Sequence, residues 1–465
     1  MNDAALERSL SFLTSWLRYR FERGAMPGFA VGIAYRGEVV FNQAYGYANL
    51  EDKTALTTKH TFRIASHSKT FTATSLMQLA EQGRLRIDDN VVDYLPWLGD
   101  HKDRRWRTVT VRQLMSHGAG VIRDGVDAEF WQVERAFPKA AEFRRAVLDT
   151  DLIVDSNERL KYSNVGYTVL GLLIESVSGL AYNQYVVDNI VKPLGLRDVG
   201  PEYAPTMAAN AVTGYSRRDI DNTRMPIAPI VTHAMSAATG FYATAHDLCH
   251  YFSAHLVGSG RLLTDQSKRE MQRLQFRAKQ RPYASYDDYG LGLEVCDLNG
   301  RRMIGHGGGF PGQITKTIVD PTSGLVVVAL TNCVDGEAPL IARGVYNVID
   351  YYQGNSAGAG KAKFGDVDGR FMNLWLTREL VTTGTKTVVI NPDLWEPFND
   401  VEELARVDET SFKVLDSSSY GVEGELVRVV LTKGNVAGIT YSGSTIWPEK
   451  VWLKRQRRRK VIDIK

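Results

Sequence analysis

The feature that most constrains the fold is a change of pattern near residue 354. The run Gly354-Asn355-Ser356-Ala357-Gly358-Ala359-Gly360-Lys361-Ala362-Lys363 is small and poor in apolar side chains, the composition of a flexible linker. Before it, strand-like and helix-like segments alternate. After it, residues 366–453 carry short β-rich runs at Arg370 to Leu376, Thr387 to Ile390, Phe412 to Val414, Val427 to Thr432 and Val436 to Tyr441. Turn residues break these runs at a spacing of roughly ten positions, which predicts a small antiparallel barrel or sandwich. The chain therefore reads as a domain over 1–353, a linker over 354–363 and a second domain over 364–465.

Within the first domain, Leu10, Leu13, Trp16 and Leu17 recur at helical spacing over 4–23, and Pro27-Gly28 stops that helix. Phe29 to Ile33 and Val39 to Phe41 read as strands around an Arg36-Gly37 turn. Residues 66–83, 164–178 and 245–256 read as helices. Ile314 to Val319 and Leu325 to Leu330 read as strands joined by Pro321-Thr322-Ser323-Gly324, and 337–353 as a closing helix. Strands at both ends around a helical middle predict an α/β (α+β) domain. An antiparallel sheet would be closed by both chain ends and flanked by helices.

Composition narrows the function. The balance of 56 basic and 53 acidic residues, a net charge of +3, is too even for electrostatic steering toward nucleic acid or a membrane. The basic run Lys454 to Lys460 reads as a solvated chain end. Cys249, Cys296 and Cys333 are odd in number and widely spaced, so neither a disulfide framework nor a zinc knuckle is expected. No apolar stretch is long enough to span a bilayer. The first residues lack the basic and apolar regions of a signal peptide, so a cytoplasmic location is expected. His246 and His250 are four apart on a predicted helix, a spacing that can bind metal. Their neighbours Asp247 and Cys249 face elsewhere, so no metal and no cofactor is expected.

Three short motifs carry chemistry. Ser66-His67-Ser68-Lys69 opens a predicted helix. Three residues make about one turn, so Ser66 and Lys69 share a face. A serine hydroxyl needs a neighbour to take its proton, and a buried lysine loses its own proton more readily. Tyr162-Ser163-Asn164 opens another helix. There Tyr162 can act as a general base beside a lysine cation, and the Asn164 amide can accept from Lys69 and donate to a substrate carbonyl. Gly305-His306-Gly307-Gly308-Gly309 lies between strand segments. Its glycines allow close approach of a substrate backbone, and the Gly309 N–H would join that of Ser66 as an oxyanion hole.

In this order the motifs resemble those of the penicillin-recognising serine hydrolase superfamily, in its class C β-lactamase-like, D-aminopeptidase and esterase branch. The resemblance runs over about residues 10–352. It includes Pro27-Gly28-Phe29-Ala30-Val31, Thr61-Phe62-Arg63-Ile64-Ala65, Val111-Arg112-Gln113-Leu114-Met115-Ser116-His117-Gly118 and Tyr289-Gly290-Leu291-Gly292. It implies a β-lactamase/transpeptidase-like domain with an all-helical region. Ser66 is the implied nucleophile, Lys69 the proton relay and Tyr162 the base. Asn164, His306, Gly308 and Gly309 are the implied substrate-binding positions. Asp368-Gly369-Arg370-Phe371 and Leu394-Trp395-Glu396-Pro397 resemble a lipocalin-like barrel appended to some peptidases of this group.

One departure steers the substrate. Where dedicated β-lactamases and penicillin-binding proteins usually carry lysine, this chain has His306. Histidine is mostly neutral near pH 7 and so suits a substrate carboxylate less well. The expected activity is hydrolysis of a small amide, short peptide or carboxylic ester through an acyl-enzyme on Ser66. β-Lactamase or penicillin-binding activity, or a non-catalytic scaffold, are the alternatives. The expected partner is a small acyl substrate or short peptide, with neither nucleic acid nor membrane, and a homo-oligomer is compatible with the sequence.

Overall fold

The computed structural model describes residues 1–279, 287–356, 367–384, 386–417, 421–433 and 435–458. From Ala357 onward the expected linker lies outside them. Contacts divide the chain into one unit of Met26–Ala342 and another of Met1–Ala25 with Arg343–Lys465.

The first unit is built on one sheet. Its strands are β1 (Gly28–Tyr35), β2 (Glu38–Asn49), β3 (Thr54–Ala55), β4 (Asp288–Tyr289), β5 (Glu294–Leu298), β6 (Arg301–Phe310), β7 (Gln313–Asp320) and β8 (Leu325–Thr331). They run in the order β3-β2-β1-β8-β7-β6-β5-β4, and every neighbouring pair is antiparallel. The strands from the two ends of the unit thus meet at β1 and β8, as the sequence predicts. Both are buried at every position, which is why they read as unbroken apolar runs rather than alternating ones. The β1–β2 hairpin turns on Arg36 and Gly37, both with φ > 0 (52° and 90°), the geometry of a two-residue hairpin loop.

Helices α2 (Ser68–Glu81), α3 (Asn164–Ser178) and α4 (Ala245–Ala254) hold the site against this sheet. Phe71 of α2 stacks on Tyr251 of α4 with ring centroids 3.8 Å apart. A Cβ on Gly32 of β1 would come within 2.9 Å of Ala245 O and Cys249 Sγ, so a residue without a side chain is needed where α4 sits on the sheet.

Two local expectations change. The helix predicted from residue 66 begins as a 3₁₀ turn over Ala65–His67, and α2 starts at Ser68. The glycine run read as lying between strands is inside β6. Glycine's weak strand preference hides the strand, yet the packing demands it: a Cβ on Gly308 would lie 2.3 Å from Ile64 O.

The second unit is a closed barrel of β9 (Gly369–Met372), β10 (Thr377–Thr383), β11 (Lys386–Ile390), β12 (Val401–Arg406), β13 (Ser411–Asp416), β14 (Leu426–Thr432), β15 (Asn435–Tyr441) and β16 (Ser444–Pro448). Phe371, Leu380, Val389, Phe412, Ile439 and Ile446 belong to its apolar core, as in small barrels filled by their own side chains. Three of its strands escape the sequence reading. β10 begins at Thr377, just past the end of the Arg370 to Leu376 run. β12 is Val-Glu-Glu-Leu-Ala-Arg, and its Glu402 is buried and accepts from Tyr441 Oη at 2.6 Å. β16 is short. Helix α1 (Asp3–Arg23) belongs to this unit, although the sequence reading groups residues 1–353 together. Trp16 Nε1 donates to Pro392 O at 3.1 Å, and its indole meets Trp395 edge-on at 5.7 Å. An apolar helix face shows that something covers it, but not which element. The unit boundary falls inside α5 (Ala338–Gly354).

Candidate active site

Ser66 is the only residue between 61 and 77 that is not fully buried. The turn that presents it is held from several sides. Ile64 N donates to Phe241 O (2.9 Å), Ser68 Oγ donates to Ala65 O (2.5 Å), and Phe241 N donates to Ser68 Oγ (3.0 Å). These bonds hold Ala65 at φ +49°, a conformation that costs of order 1 kcal/mol or more in a residue with a side chain and that clusters at functional sites. His67 faces inward. Its Nδ1 donates to Ile64 O at 3.0 Å and its Nε2 accepts from Thr317 Oγ1 at 2.9 Å. It braces the turn against β7 and does not line the cleft.

Lys69 follows one turn later, wholly buried. Its Nζ lies 3.1 Å from Ser66 Oγ, 2.6 Å from Asn164 Oδ1 and 2.9 Å from Ala238 O. Two of these neighbours can only accept. A neutral amine has two N–H bonds and one lone pair, so with both N–H bonds spent on Asn164 and Ala238 the lone pair faces Ser66. Burial holds the Lys69 pKa well below the usual lysine range; Asp124 opposes that shift and Arg123 adds to it. Tyr162 moves the other way. Desolvation raises its pKa, opposed by a hydrogen bond it shares with Ser66. Its ring lies under Lys69 Nζ, 4.8 Å from the centroid, and packs on His117 at 4.2 Å. Burial thus favours the neutral amine at Lys69 and the neutral phenol at Tyr162.

Asn164 opens α3, with Ser163 as the N-cap accepting from Gly166 N at 2.8 Å. The Asn164 amide accepts from Lys69 as expected, and its Nδ2 donates to Asp124 Oδ1 at 2.6 Å. Asp124 also accepts from Trp131 Nε1 at 2.9 Å. No motif signals it; only the fold brings it beside Asn164.

The third motif supplies an edge. β6 pairs with β7 as far as Phe310, but with β5 only as far as Gly305. From His306 to Phe310 one side of β6 therefore has no strand partner among the described residues, and Gly309 is exposed. His306 itself is fully buried: Nδ1 donates to Gly307 O (2.6 Å) and Nε2 accepts from Tyr289 Oη (2.9 Å). Both ring nitrogens are occupied, so His306 supports the strand and does not present a donor to substrate. Burial, with Lys69 nearby, lowers its pKa to about 3, so it is neutral at pH 7. The nearest cation on the adjoining strand is Lys316, bonded to both Asp287 and Glu294. Among the described residues, this one cation between two carboxylates leaves that side of the strand without positive charge to spare.

Fold and site together have the form of the penicillin-recognising serine hydrolases. The chain belongs to the beta-lactamase family, whose model matches residues 13–347. It is 24% identical over 318 residues to Protein flp of Staphylococcus aureus (strain MW2), covering 68% of this chain and 61% of that protein. Among solved structures, the octameric penicillin-binding protein homologue from Pyrococcus abyssi superposes with a TM-score of 0.64 at 21% identity, over 96% of this chain and 100% of that one. A D-stereospecific amidohydrolase from Streptomyces sp. does so with a TM-score of 0.57 at 23% identity, over 72% and 95%. These structural likenesses are of fold.

Proposed function

We propose that this chain is a serine hydrolase that forms an acyl-enzyme on Ser66 and hydrolyses a small amide, short peptide or carboxylic ester. The observation that carries the reading is the buried Lys69 amine 3.1 Å from Ser66 Oγ, with its other two contacts taken by carbonyl oxygens. Neutral Lys69 takes the Ser66 proton as Oγ attacks the substrate carbonyl. The backbone N–H groups of Ser66 and Gly309 hold the oxyanion. Tyr162 passes a proton to the leaving group and is reprotonated from Lys69. Water then attacks the ester on Ser66 by the same route in reverse, freeing the acid and restoring the serine.

The substrate class follows from charge. Among the described residues, neutral His306 and Lys316, tied to two carboxylates, leave no free cation at the third motif for a substrate carboxylate, which favours neutral esters and amides over β-lactams. The likeness to a D-stereospecific amidohydrolase supports the amide arm, and the likeness to an octameric homologue supports assembly of several copies. The deciding experiment compares p-nitrophenyl esters, D-amino-acid amides and nitrocefin by kcat/KM. Nitrocefin as by far the best substrate would overturn the charge argument.

A further inference from the structure

Beside Tyr162 the balance of charge is the reverse of that at the third motif. The Arg123 carbonyl accepts from Asn164 N at 2.8 Å and Val165 N at 3.2 Å, which ties its backbone to the start of α3. Its side chain runs out into solvent, 67% exposed, with Nε 3.2 Å from Asp124 Oδ2. The guanidinium stays beside the phenol, Cζ 5.6 Å from the Tyr162 ring centroid. Among the described residues neither Nη has an acceptor. Lys161, next to Tyr162 in the chain, is partly buried, and its N–H donates to His117 O at 2.8 Å. Burial lowers its pKa and nearby Arg123 lowers it further. Its ammonium has no ion pair among the described residues. Arg159 has Glu158 at 3.9 Å. Asp124 is shared: its Oδ1 accepts from Asn164 Nδ2 and Trp131 Nε1. Two cations, Arg123 and Lys161, thus stand against one carboxylate.

This charge reaches the reacting groups. Burial dominates the shifts at Lys69 and Tyr162, but Arg123 acts on both, adding to the first and opposing the second. We infer that Arg123, together with Lys161, selects a carboxylate on the leaving group, so that the preferred substrates are short peptides or esters whose departing half ends in a free carboxylate. The inference rests on the roles of Ser66 and Tyr162 proposed above. Tyr162 passes its proton to the departing atom, so the leaving group lies against the phenol. A carboxylate a few bonds beyond that atom comes within reach of the exposed Nη edge, the fork that matches two carboxylate oxygens. A neutral group toward the third motif and a carboxylate toward Arg123 are compatible in one substrate. If Arg123 only braced Asp124, its loss would change all substrates alike and leave their ratio untouched.

The test compares m-carboxyphenyl acetate with m-carbamoylphenyl acetate, which share an acyl group and differ in the charge of the leaving phenol. Each kcat/KM is divided by the rate of hydroxide-catalysed hydrolysis of the same ester. The full chain should favour the carboxylate about fivefold, the scale of a partly exposed charge pair. Raising NaCl from about 0.05 to about 0.5 M should bring the ratio toward one, because exposed charges are screened. Arg123→Gln should hold the ratio within about twofold of one, and Arg123→Lys, which keeps the charge, should retain more of it. The salt series uses wild-type protein, so a folding defect in a variant does not remove the test. Ser66-dependent turnover with a wild-type ratio near one, a ratio insensitive to salt, or a ratio unchanged in folded Arg123→Gln would overturn the carboxylate preference alone. Turnover of neither ester, or equal turnover in Ser66→Ala, would overturn the hydrolase reading, and this inference with it.

Discussion

Asn164 Nδ2 donates to Asp124 Oδ1 at 2.6 Å while Asn164 Oδ1 accepts from Lys69 at 2.6 Å. The carboxylate fixes which way the amide points, and the amide fixes the lysine. Asp124→Asn should lower kcat/KM about 10–100-fold by loosening that orientation. It also removes a negative charge that favours protonated Lys69. The Lys69 pKa should fall further, and the acid limb of the kcat/KM profile should move to lower pH. An unchanged profile would separate Asp124 from the lysine.

The base assignment gives a second test. Arginine keeps the cation but cannot give up its proton, so Lys69→Arg should lose about 10³-fold or more in kcat/KM. Tyr162→Phe keeps the ring that packs on His117 and should fold normally, while losing about 10²–10⁴-fold. Stopped-flow acylation beside a circular dichroism melt separates chemistry from folding. Turnover near wild type in Tyr162→Phe would remove the phenol from the mechanism.

The two glycines of the third motif should differ. A Cβ on Gly308 would lie 2.3 Å from Ile64 O and 2.5 Å from Thr315 Oγ1. Gly308→Ala should therefore displace the Ser66 turn, destabilise the unit by about 1–3 kcal/mol and sharply reduce activity. A Cβ on Gly309 would meet only Ile314 Cδ1, at 3.6 Å. Gly309→Ala should leave the melting temperature nearly unchanged. Equal losses of stability in the two variants would contradict this account of the strand.

Acid should destabilise the first unit through buried neutral histidines. Burial lowers His255 and His306 each to about 3, with Lys268 adding to the effect at His255 and Lys69 at His306. The unfolded chain binds these protons near pH 6.5, so stability present above that pH is lost as pH falls toward 3. At pH 4.5 each group costs about 2.5 kcal/mol. Urea unfolding at pH 7.5 and 4.5 should show His255→Phe losing about that much less than wild type. Parallel losses would rule out His255 as a contributor.

The Ser66–Lys69 pair is legible in sequence because one helical turn separates the two residues, and the structure holds Lys69 Nζ 3.1 Å from Ser66 Oγ. Tyr162 and Asn164 stand at a recognisable helix start, and their expected roles come from the family resemblance and not from spacing. Asp124, Glu294 and Lys316 were not legible, since each is a lone charged residue whose partner is set by chain folding far from it in sequence. His306 was found by its place in the motif, but its burial was not foreseen: strand alternation cannot be read through a run of glycines. The central strands β1 and β8 were visible as apolar runs, whereas β12 was hidden by glutamates, one of which, Glu402, is buried by pairing with Tyr441. The partner of α1 was invisible, because amphipathicity names a buried face and not its cover.

The most direct test of the central claim is intact-mass analysis after reaction with a fluorophosphonate, followed by peptide mapping. One adduct per chain is expected, on Ser66, formed at a rate that falls with Lys69→Arg and absent in Ser66→Ala. Folded wild-type protein that takes up no adduct, or takes it up equally in Ser66→Ala, would contradict the assignment of Ser66 as the nucleophile.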